Sequence, residues 1–399
     1  MLASLSLIFI VGLAMGAICQ KLKLPRIIGM LVTGIVLGPY VLDLLDPSIL
    51  SISAELRKMA LIIILLKAGL SLDLKDLKKA GRSAVLLSFV PASFEIVGYV
   101  LCAPAILGIT RVEAAVMGAV LGAVSPAVVI PRMVTLMEKK YGTEKAIPQM
   151  VMAGASCDDI FVIVLFTTFL SIAQGGHANV RDFVNIPVSI VLGIILGAVT
   201  GYGLYLFFET AYARKHCVRN SIKVIIVLGF SFLLVSVEGW LEGKISLSGL
   251  LAVVAMACVI KMKSPVFVSK RLSEKFGKLW LAAEVMLFVL VGAAVDIRYT
   301  LSAGLSAVLM IFVALLFRSV GVLLCVAGTR LTWKERLFCV IAYLPKATVQ
   351  AAIGSVPLAA GLACGKIVLS VAVLAIIITA PLGAIGMDAA YQRLLEKEN

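Results

Sequence analysis

The sequence has few of the residues on which soluble enzymes and metalloproteins rely. Only 15% of its 399 residues are charged, and His177 and His216 are its two histidines. So few histidines argue against a histidine-based metal or proton-transfer site. The eight cysteines show no spacing typical of metal ligands and lie mostly in apolar segments, as small packing residues do. No stretch has the composition of a soluble domain, a linker or a low-complexity tail.

Apolar residues dominate the chain instead. They make up 61% of it, the mean hydropathy is +1.10, and apolar runs of about 17 residues or more recur from end to end. Backbone polar groups must be satisfied internally in lipid, so such runs form helices. We predict an all-α polytopic membrane protein with about 13 transmembrane helices. The predicted segments are 2–19, 27–43, 57–73, 83–107, 111–137, 148–173, 186–208, 221–238, 246–262, 279–297, 301–327, 334–359 and 366–388.

The basic residues predict an orientation in the cell membrane. The first segment has no basic residues before it and is followed by Lys21, Lys23 and Arg26, so we expect a retained span and not a signal peptide. With the N-terminus outside and the C-terminus cytoplasmic, most of the 36 lysines and arginines fall in the cytoplasm. The net charge of +14 therefore follows membrane topology, and we expect the lipid bilayer as a partner but no nucleic acid.

Asp158 and Asp159 stand side by side in the apolar run from Pro148 to Gln174. Each carboxylate placed at that depth costs roughly 2.5–3.5 kcal/mol on insertion scales. Neighbouring residues on a helix point about 100° apart, so the two side chains serve different surroundings. A hydrogen-bonded structural pair is one interpretation. We favour a site that binds and releases a cation or a proton.

Two parts of the chain show similar patterns of polar and breaking residues. In each, a span with a buried charge is followed by a span broken near its middle and then by a third span. The first set has Glu95, the break Val124-Ser125-Pro126 and the aspartate pair; the second has Arg318, the break Leu344-Pro345-Lys346, and Thr379-Ala380-Pro381. This pattern predicts inverted repeats with two crossing interrupted helices, which are typical of secondary transporters with a site at the midplane.

The breaks and the buried charges suggest how such a site is supported. Pro126 and Pro345 each remove a backbone donor and leave carbonyl groups that need partners. Lys346 directly follows Pro345 and could neutralise these carbonyl ends. Arg318 needs an acidic partner, for which Glu95, Asp158 and Glu284 are candidates, and we favour Glu95. Ser125, beside Pro126, completes the predicted supporting site.

Three motifs together resemble the cation:proton antiporter superfamily: AVSPAVVIP (123–131), GASCDDI (154–160) and YLPKATVQAAIG (343–354). The last resembles the NHA-type sodium/proton antiporter subgroup. The resemblance implies an NhaA/NapA-like fold, with a dimerisation domain and a mobile core domain. By residues, 1–82 would be mainly dimerisation helices, 83–173 core repeat 1, 174–297 dimerisation or linking helices, and 298–399 core repeat 2.

The resemblance also implies roles for residues. Asp159 matches the family's essential ion-binding aspartate, and Asp158 matches the variable position before it, so both would bind Na⁺ and protons. Glu95 and Arg318 match a buried acidic and a buried arginine position of the subgroup, while Pro126 and Lys346 fall on the crossing helices. Many electrogenic bacterial members have lysine where this chain has Arg318. Electrogenic stoichiometry therefore does not carry over with the aspartate pair.

We expect a homodimeric secondary transporter that exchanges Na⁺ or Li⁺ for H⁺ by alternating access, without a cofactor, and that serves pH homeostasis. The alternatives are K⁺/H⁺ exchange and Na⁺-coupled solute transport by the same fold. Intramembrane aspartyl proteolysis needs two facing aspartates that share a proton, which adjacent residues on one helix do not provide. We therefore expect no enzyme activity.

Overall fold

The computed structural model describes residues 1–22, 24–71, 81–175, 180–215, 220–241 and 247–398. The two histidines and Cys217 lie outside these ranges. The same is true of five basic residues that the predicted orientation places in the cytoplasm, Lys23, Lys75, Lys78, Lys79 and Arg219, and of one that it places outside the cell, Lys244. Within them the chain is helical, apart from turns and one isolated β-bridge. The helices are α1 (Leu2–Lys21), α2 (Arg26–Leu37), α3 (Pro47–Ser51), α4 (Ser53–Ser71), α5 (Gly81–Leu87), α6 (Val90–Leu107), α7 (Arg111–Leu121), α8 (Pro126–Glu138), α9 (Ile147–Gly175), α10 (Val180–Lys215), α11 (Asn220–Leu241), α12 (Gly249–Lys263), α13 (Val266–Ala293), α14 (Ile297–Cys325), α15 (Trp333–Ala342), α16 (Thr348–Ile353), α17 (Val356–Ala359) and α18 (Gly365–Leu394).

The all-α polytopic class is confirmed. In the described part of the chain, nine helical stretches are long and apolar enough to cross a membrane. Shorter apolar helices, such as α2 and the α16–α17 stretch, fall below that length. The number of 13 membrane crossings therefore stays a prediction.

Several predicted boundaries differ from the observed ones. The segment predicted at 27–43 ends at Leu37, because Gly38 leaves the helical conformation and Pro39 follows it. The segment predicted at 186–208 extends over the whole of α10. The segment predicted at 279–297 begins at Val266, where α13 is amphipathic. Its added turns bury Leu272 and Phe276 and expose charged neighbours, so mean hydropathy misses them.

The helices form two compact units. The first comprises residues 1–54, 73–174 and 285–399, and the second comprises 55–72 and 175–284. In the first unit α6 packs on α14 and α7, while α18 packs on α14 and α15. In the second unit α12 packs on α10 and α11. The backbones approach closely at Gly197 of α10, where a Cβ atom would collide with the carbonyl of Ala252, so only glycine fits there.

Two helical stretches of the first unit are interrupted, and their interruptions contact each other. The chain leaves the helical conformation between α7 and α8 and again between α15 and α16. The N–H of Ser125 in the first interruption donates to the carbonyl of Pro345 in the second, at 2.8 Å. The two helices predicted to be interrupted thus meet at their interruptions. We call this region, residues 121–126 and 343–350, the crossing.

Residues 140–145, before α9, contact the chain end after α18 and the start of α15. We call this group of contacts within the first unit the clasp. The N–H of Gly142 donates to the carbonyl of Glu396, and the N–H of Glu398 donates to the carbonyl of Lys140, both at 2.8 Å. Lys145 Nζ lies 2.9 Å from the buried carboxylate of Glu335 at the start of α15. The loop that precedes α9 is therefore bound both to the chain after α18 and to the interrupted helix α15–α16.

A candidate ion-binding site at the crossing

The carbonyl groups at the end of α7 are capped by side chains from α14, from the second interruption and from α16. A helix end leaves carbonyl oxygens without partners, which is costly away from water. Each of the last three carbonyls before the break accepts a bond from a different long polar side chain. The pairs are Lys346 Nζ with Leu121 O, Arg318 Nη1 with Gly122 O, and Gln350 Nε2 with Ala123 O at 2.8 Å.

Polar side chains satisfy the second interruption as well. Arg318 Nε donates to the carbonyl of Tyr343 at 2.6 Å. Thr379 Oγ1 on α18 accepts from the N–H of Lys346 at 3.0 Å. Side chains from α14 and α18 thus bind the backbone on both sides of Pro345. The chain is interrupted at Pro126 and at Pro345, and neither proline forms an ordinary kink inside a continuous helix.

The two prolines lie at different positions in the two interruptions. Pro126 occupies the first position of α8, where its missing N–H costs nothing and its fixed φ suits the helix. Pro345 lies between α15 and α16 and offers its carbonyl to Ser125. The carbonyl ends were predicted to need partners, with Lys346 as one of them, and the carbonyls of residues 121–123 all have donors.

A buried cluster of charges lies against these helix ends. Arg318 Nη1 lies 2.7 Å from Glu95 Oε2, and Lys346 Nζ donates to the same oxygen at 2.8 Å. All three side chains are at most 1% exposed. Arg318 also contacts a second of its acidic candidates, because Asp158 Oδ2 lies 3.2 Å from Arg318 Nη2.

The two aspartates on α9 have different surroundings. Asp158 is fully buried, and its Oδ2 accepts from the N–H of Val124 at 2.7 Å in addition to Arg318. Asp159 is buried, yet it makes no ion pair with any described residue. One oxygen of each aspartate lacks a hydrogen-bond partner among the described residues.

Two hydroxyl groups at the crossing also lack hydrogen-bond partners among the described residues. Ser125 Oγ, just before α8, and Thr348 Oγ1, at the start of α16, are buried and lack a described partner. Buried polar atoms without partners are rare and point to an absent ion or water. Carboxylate and hydroxyl oxygens are the ligands that hard cations take, so these oxygens are candidates for the predicted ion site.

A model of the transmembrane sodium/hydrogen exchanger family matches residues 5–388. The chain belongs to this family. Human sodium/hydrogen exchanger 9B2 is 36% identical over 390 residues, which span 94% of this chain and 70% of that protein. Human sodium/hydrogen exchanger 9B1 is 32% identical over 419 residues, which span 99% of this chain and 78% of that one. The family assignment made from the three motifs is thus confirmed, and the family is one of transporters and not of enzymes.

The fold of the exchanger matches a solved structure. The sodium proton antiporter MjNhaP1 from Methanocaldococcus jannaschii, solved at pH 8, aligns with a TM-score of 0.84 over 98% of each chain. The sequences are 21% identical, so this similarity concerns the fold alone.

The sequence patterns gave no role to two residues that bind the crossing. Gln350 lies in the motif YLPKATVQAAIG but received no role, and Thr379 was noted only within Thr379-Ala380-Pro381 of the third span. A polar side chain in an apolar helix next to a break was the available signal, because each such group needs a partner in the interior. Which group it contacts depends on a distant part of the chain.

Proposed function

We propose that the exchanger carries Na⁺ or Li⁺ in one direction and H⁺ in the other, and that both compete for Asp159. One observation carries the proposal. Of the three buried carboxylates at the crossing, Glu95 and Asp158 have cationic partners, and Asp159 has none among the described residues. A buried carboxylate without a counter-ion is strongly unfavourable, so it needs a bound cation or a proton.

The charge balance of the cluster favours electroneutral exchange. Arg318 and Lys346 carry two positive charges, and Glu95 and Asp158 carry two negative ones. These four charges cancel, so Asp159 alone adds a net negative charge. One Na⁺ or one H⁺ removes it. The loaded site is then neutral with either substrate, whereas the empty site keeps a charge that resists crossing the membrane interior.

The remaining expectations complete the proposal. Residues 83–173 and 298–399 form a mobile core that exposes the crossing alternately to the two sides. Helices within 1–82 and 174–297 form the dimerisation domain of a homodimer in the cell membrane. The N-terminus lies outside and the C-terminus in the cytoplasm, as the distribution of basic residues suggests. The ions are substrates, and no cofactor takes part.

The test is ion-driven proton flux in proteoliposomes loaded with a pH-sensitive dye. Addition of Na⁺ or Li⁺ should move protons, and K⁺ in the same assay tests K⁺/H⁺ exchange; Na⁺-dependent solute uptake tests the other alternative. Asp159→Asn should abolish the flux at unchanged protein amounts, because the amide keeps the shape and loses the exchangeable charge. Asp388→Asn, the same change at an exposed site, is the control. Retained flux in Asp159→Asn would refute the assignment.

A further inference from the structure

Gln350 is the buried side chain that links the two interruptions through its amide group. It lies on α16 and is completely buried. Its Oε1 accepts from the N–H of Ala347 at 2.8 Å, at the start of its own helix. Its Nε2 donates to the carbonyl of Ala123 at 2.8 Å and, more weakly, to that of Leu121 at 3.4 Å. The accepting role of Oε1 distinguishes the oxygen of the amide from its nitrogen, so Nε2 with its two hydrogens lies towards the end of α7.

The carbonyl that Gln350 holds belongs to the peptide group whose N–H binds Asp158. The carbonyl of Ala123 and the N–H of Val124 are two ends of one planar unit. Fixing the oxygen at one end therefore fixes the direction of the N–H at the other. That N–H donates to Asp158 Oδ2 at 2.7 Å. Hydrogen bonds in such a chain polarise one another, which strengthens the bond that the aspartate receives.

We propose that Gln350 is a positioning residue for sodium binding, acting through the Ala123–Val124 peptide on Asp158. The N–H of Val124 holds Oδ2 and leaves Oδ1, which has no described partner, as the oxygen available to a cation beside Asp159. This inference rests on the proposed exchange of sodium.

Loss of the Gln350 amide should leave the fold of the crossing intact. Arg318 still holds the carbonyl of Gly122, and the N–H of Ser125 still donates to Pro345. The Ala123–Val124 peptide loses the donor that fixes its carbonyl and gains freedom to rotate. The N–H of Ala347 loses its acceptor in a variant without Oε1, whereas the carbonyl of Leu121 keeps Lys346. Sodium binding should therefore weaken, while the rate at which the loaded core domain moves between the two sides should change little.

The experiment compares Gln350→Met, of similar length without polar atoms, with Gln350→Glu, which keeps an acceptor for Ala347 and loses the donor when ionised. Gln392→Met, the same change at an exposed residue on α18, is the matched control. Sodium concentration for half-maximal proton flux should rise about tenfold in both Gln350 variants, with the maximal rate within about twofold of wild type. The control should match wild type in both quantities.

A second readout does not need transport. Sodium-dependent thermal stabilisation should require about tenfold more sodium in Gln350→Met. In infrared difference spectra, the carboxylate band that Asp158→Asn removes should shift in Gln350→Met, because its bond from Val124 changes. Substitution of a residue with a merely structural role would change neither the sodium dependence of the thermal stabilisation nor the carboxylate band of Asp158.

The outcomes separate this inference from the proposed function. Absence of sodium-driven flux in the wild type would count against the proposed function. Normal wild-type flux with an unchanged half-maximal sodium concentration in folded Gln350→Met would overturn the positioning role. A fall in maximal rate alone would overturn it too. Failure of both Gln350 variants to accumulate as folded protein would show a folding role instead and equally contradict the inference.

Discussion

Arg318→Ala should be among the most destabilising single changes at the crossing. The guanidinium binds two carboxylates, Glu95 and Asp158, and two backbone carbonyls that face it from the two interruptions. Alanine reaches none of these groups. Asp158 then loses its one close ion-pair partner among the described residues, whereas Glu95 keeps Lys346 at 2.8 Å.

The size of the loss follows from the burial of these groups. Removing one member of a buried ion pair typically costs about 3–5 kcal/mol, because the remaining charge is uncompensated. Each carbonyl that loses a donor adds about 1–3 kcal/mol, although such contributions overlap and do not simply sum. We expect a total loss of about 4–6 kcal/mol. Arg318→Lys should fall between this and wild type, because one ammonium cannot reach four acceptors in the geometry of a guanidinium.

The assay is unfolding of the purified exchanger in mixed micelles, with the free energy of unfolding compared between variants. Arg132→Ala is the matched control, because Arg132 pairs with the exposed Asp388 and should contribute about 1 kcal/mol or less. A double-mutant cycle with Glu95→Gln should give a coupling of about 1–3 kcal/mol. Equal destabilisation by Arg318→Ala and Arg132→Ala, or independent effects at positions 95 and 318, would refute the argument.

Two further predictions concern pH. Where Asp159 is protonated, apparent sodium affinity in transport or thermal-shift assays should weaken about tenfold for each unit of acidification. The slope should be unchanged in Asp158→Asn if only Asp159 exchanges its proton; a flat wild-type profile would exclude competition. At the clasp, the hydrogen bond that Lys145 donates to the carboxylate of Glu335 raises the pKa of Lys145 above its usual value. The stabilisation from this ion pair is complete below the pKa that Lys145 has in the unfolded chain, and it is lost as the pH rises through the pKa that Lys145 has in the folded chain. Lys145→Met should therefore unfold more easily than wild type at neutral pH, with the difference shrinking at strongly alkaline pH; a pH-independent difference would contradict this.

The sequence patterns predicted the elements of the fold better than their ends. Apolar runs identify spans because lipid imposes one solution on the backbone. The start of α13 was missed because its exposed charges lower the mean hydropathy of turns whose other face is buried. Periodicity, and not hydropathy, would have been the better guide to this amphipathic extension.

At the site, residue types could be predicted but their pairing only in part. Buried charges in an apolar chain must have partners, so Glu95, Arg318 and the aspartates were recognisable from the sequence alone. The contact between Arg318 and Glu95 spans 223 residues, and that between Arg318 and Asp158 spans 160. No local pattern encodes how many acceptors one guanidinium reaches. For this reason Arg318 was expected to pair with one carboxylate, whereas it bridges two.

The difference between the two interruptions explains why one carboxylate lies outside the balanced cluster of charges. In the second, the free N–H of Lys346 is held by a neutral hydroxyl, that of Thr379. In the first, the N–H of Val124 is held by the carboxylate of Asp158. The carbonyl end of α7 already requires two cations, Arg318 and Lys346, and Glu95 balances only one of them. A charged Asp158 restores neutrality, which a hydroxyl at that place would not. Asp159 thus stands outside a balanced cluster, and under the proposed function its charge is the one that sodium or a proton neutralises.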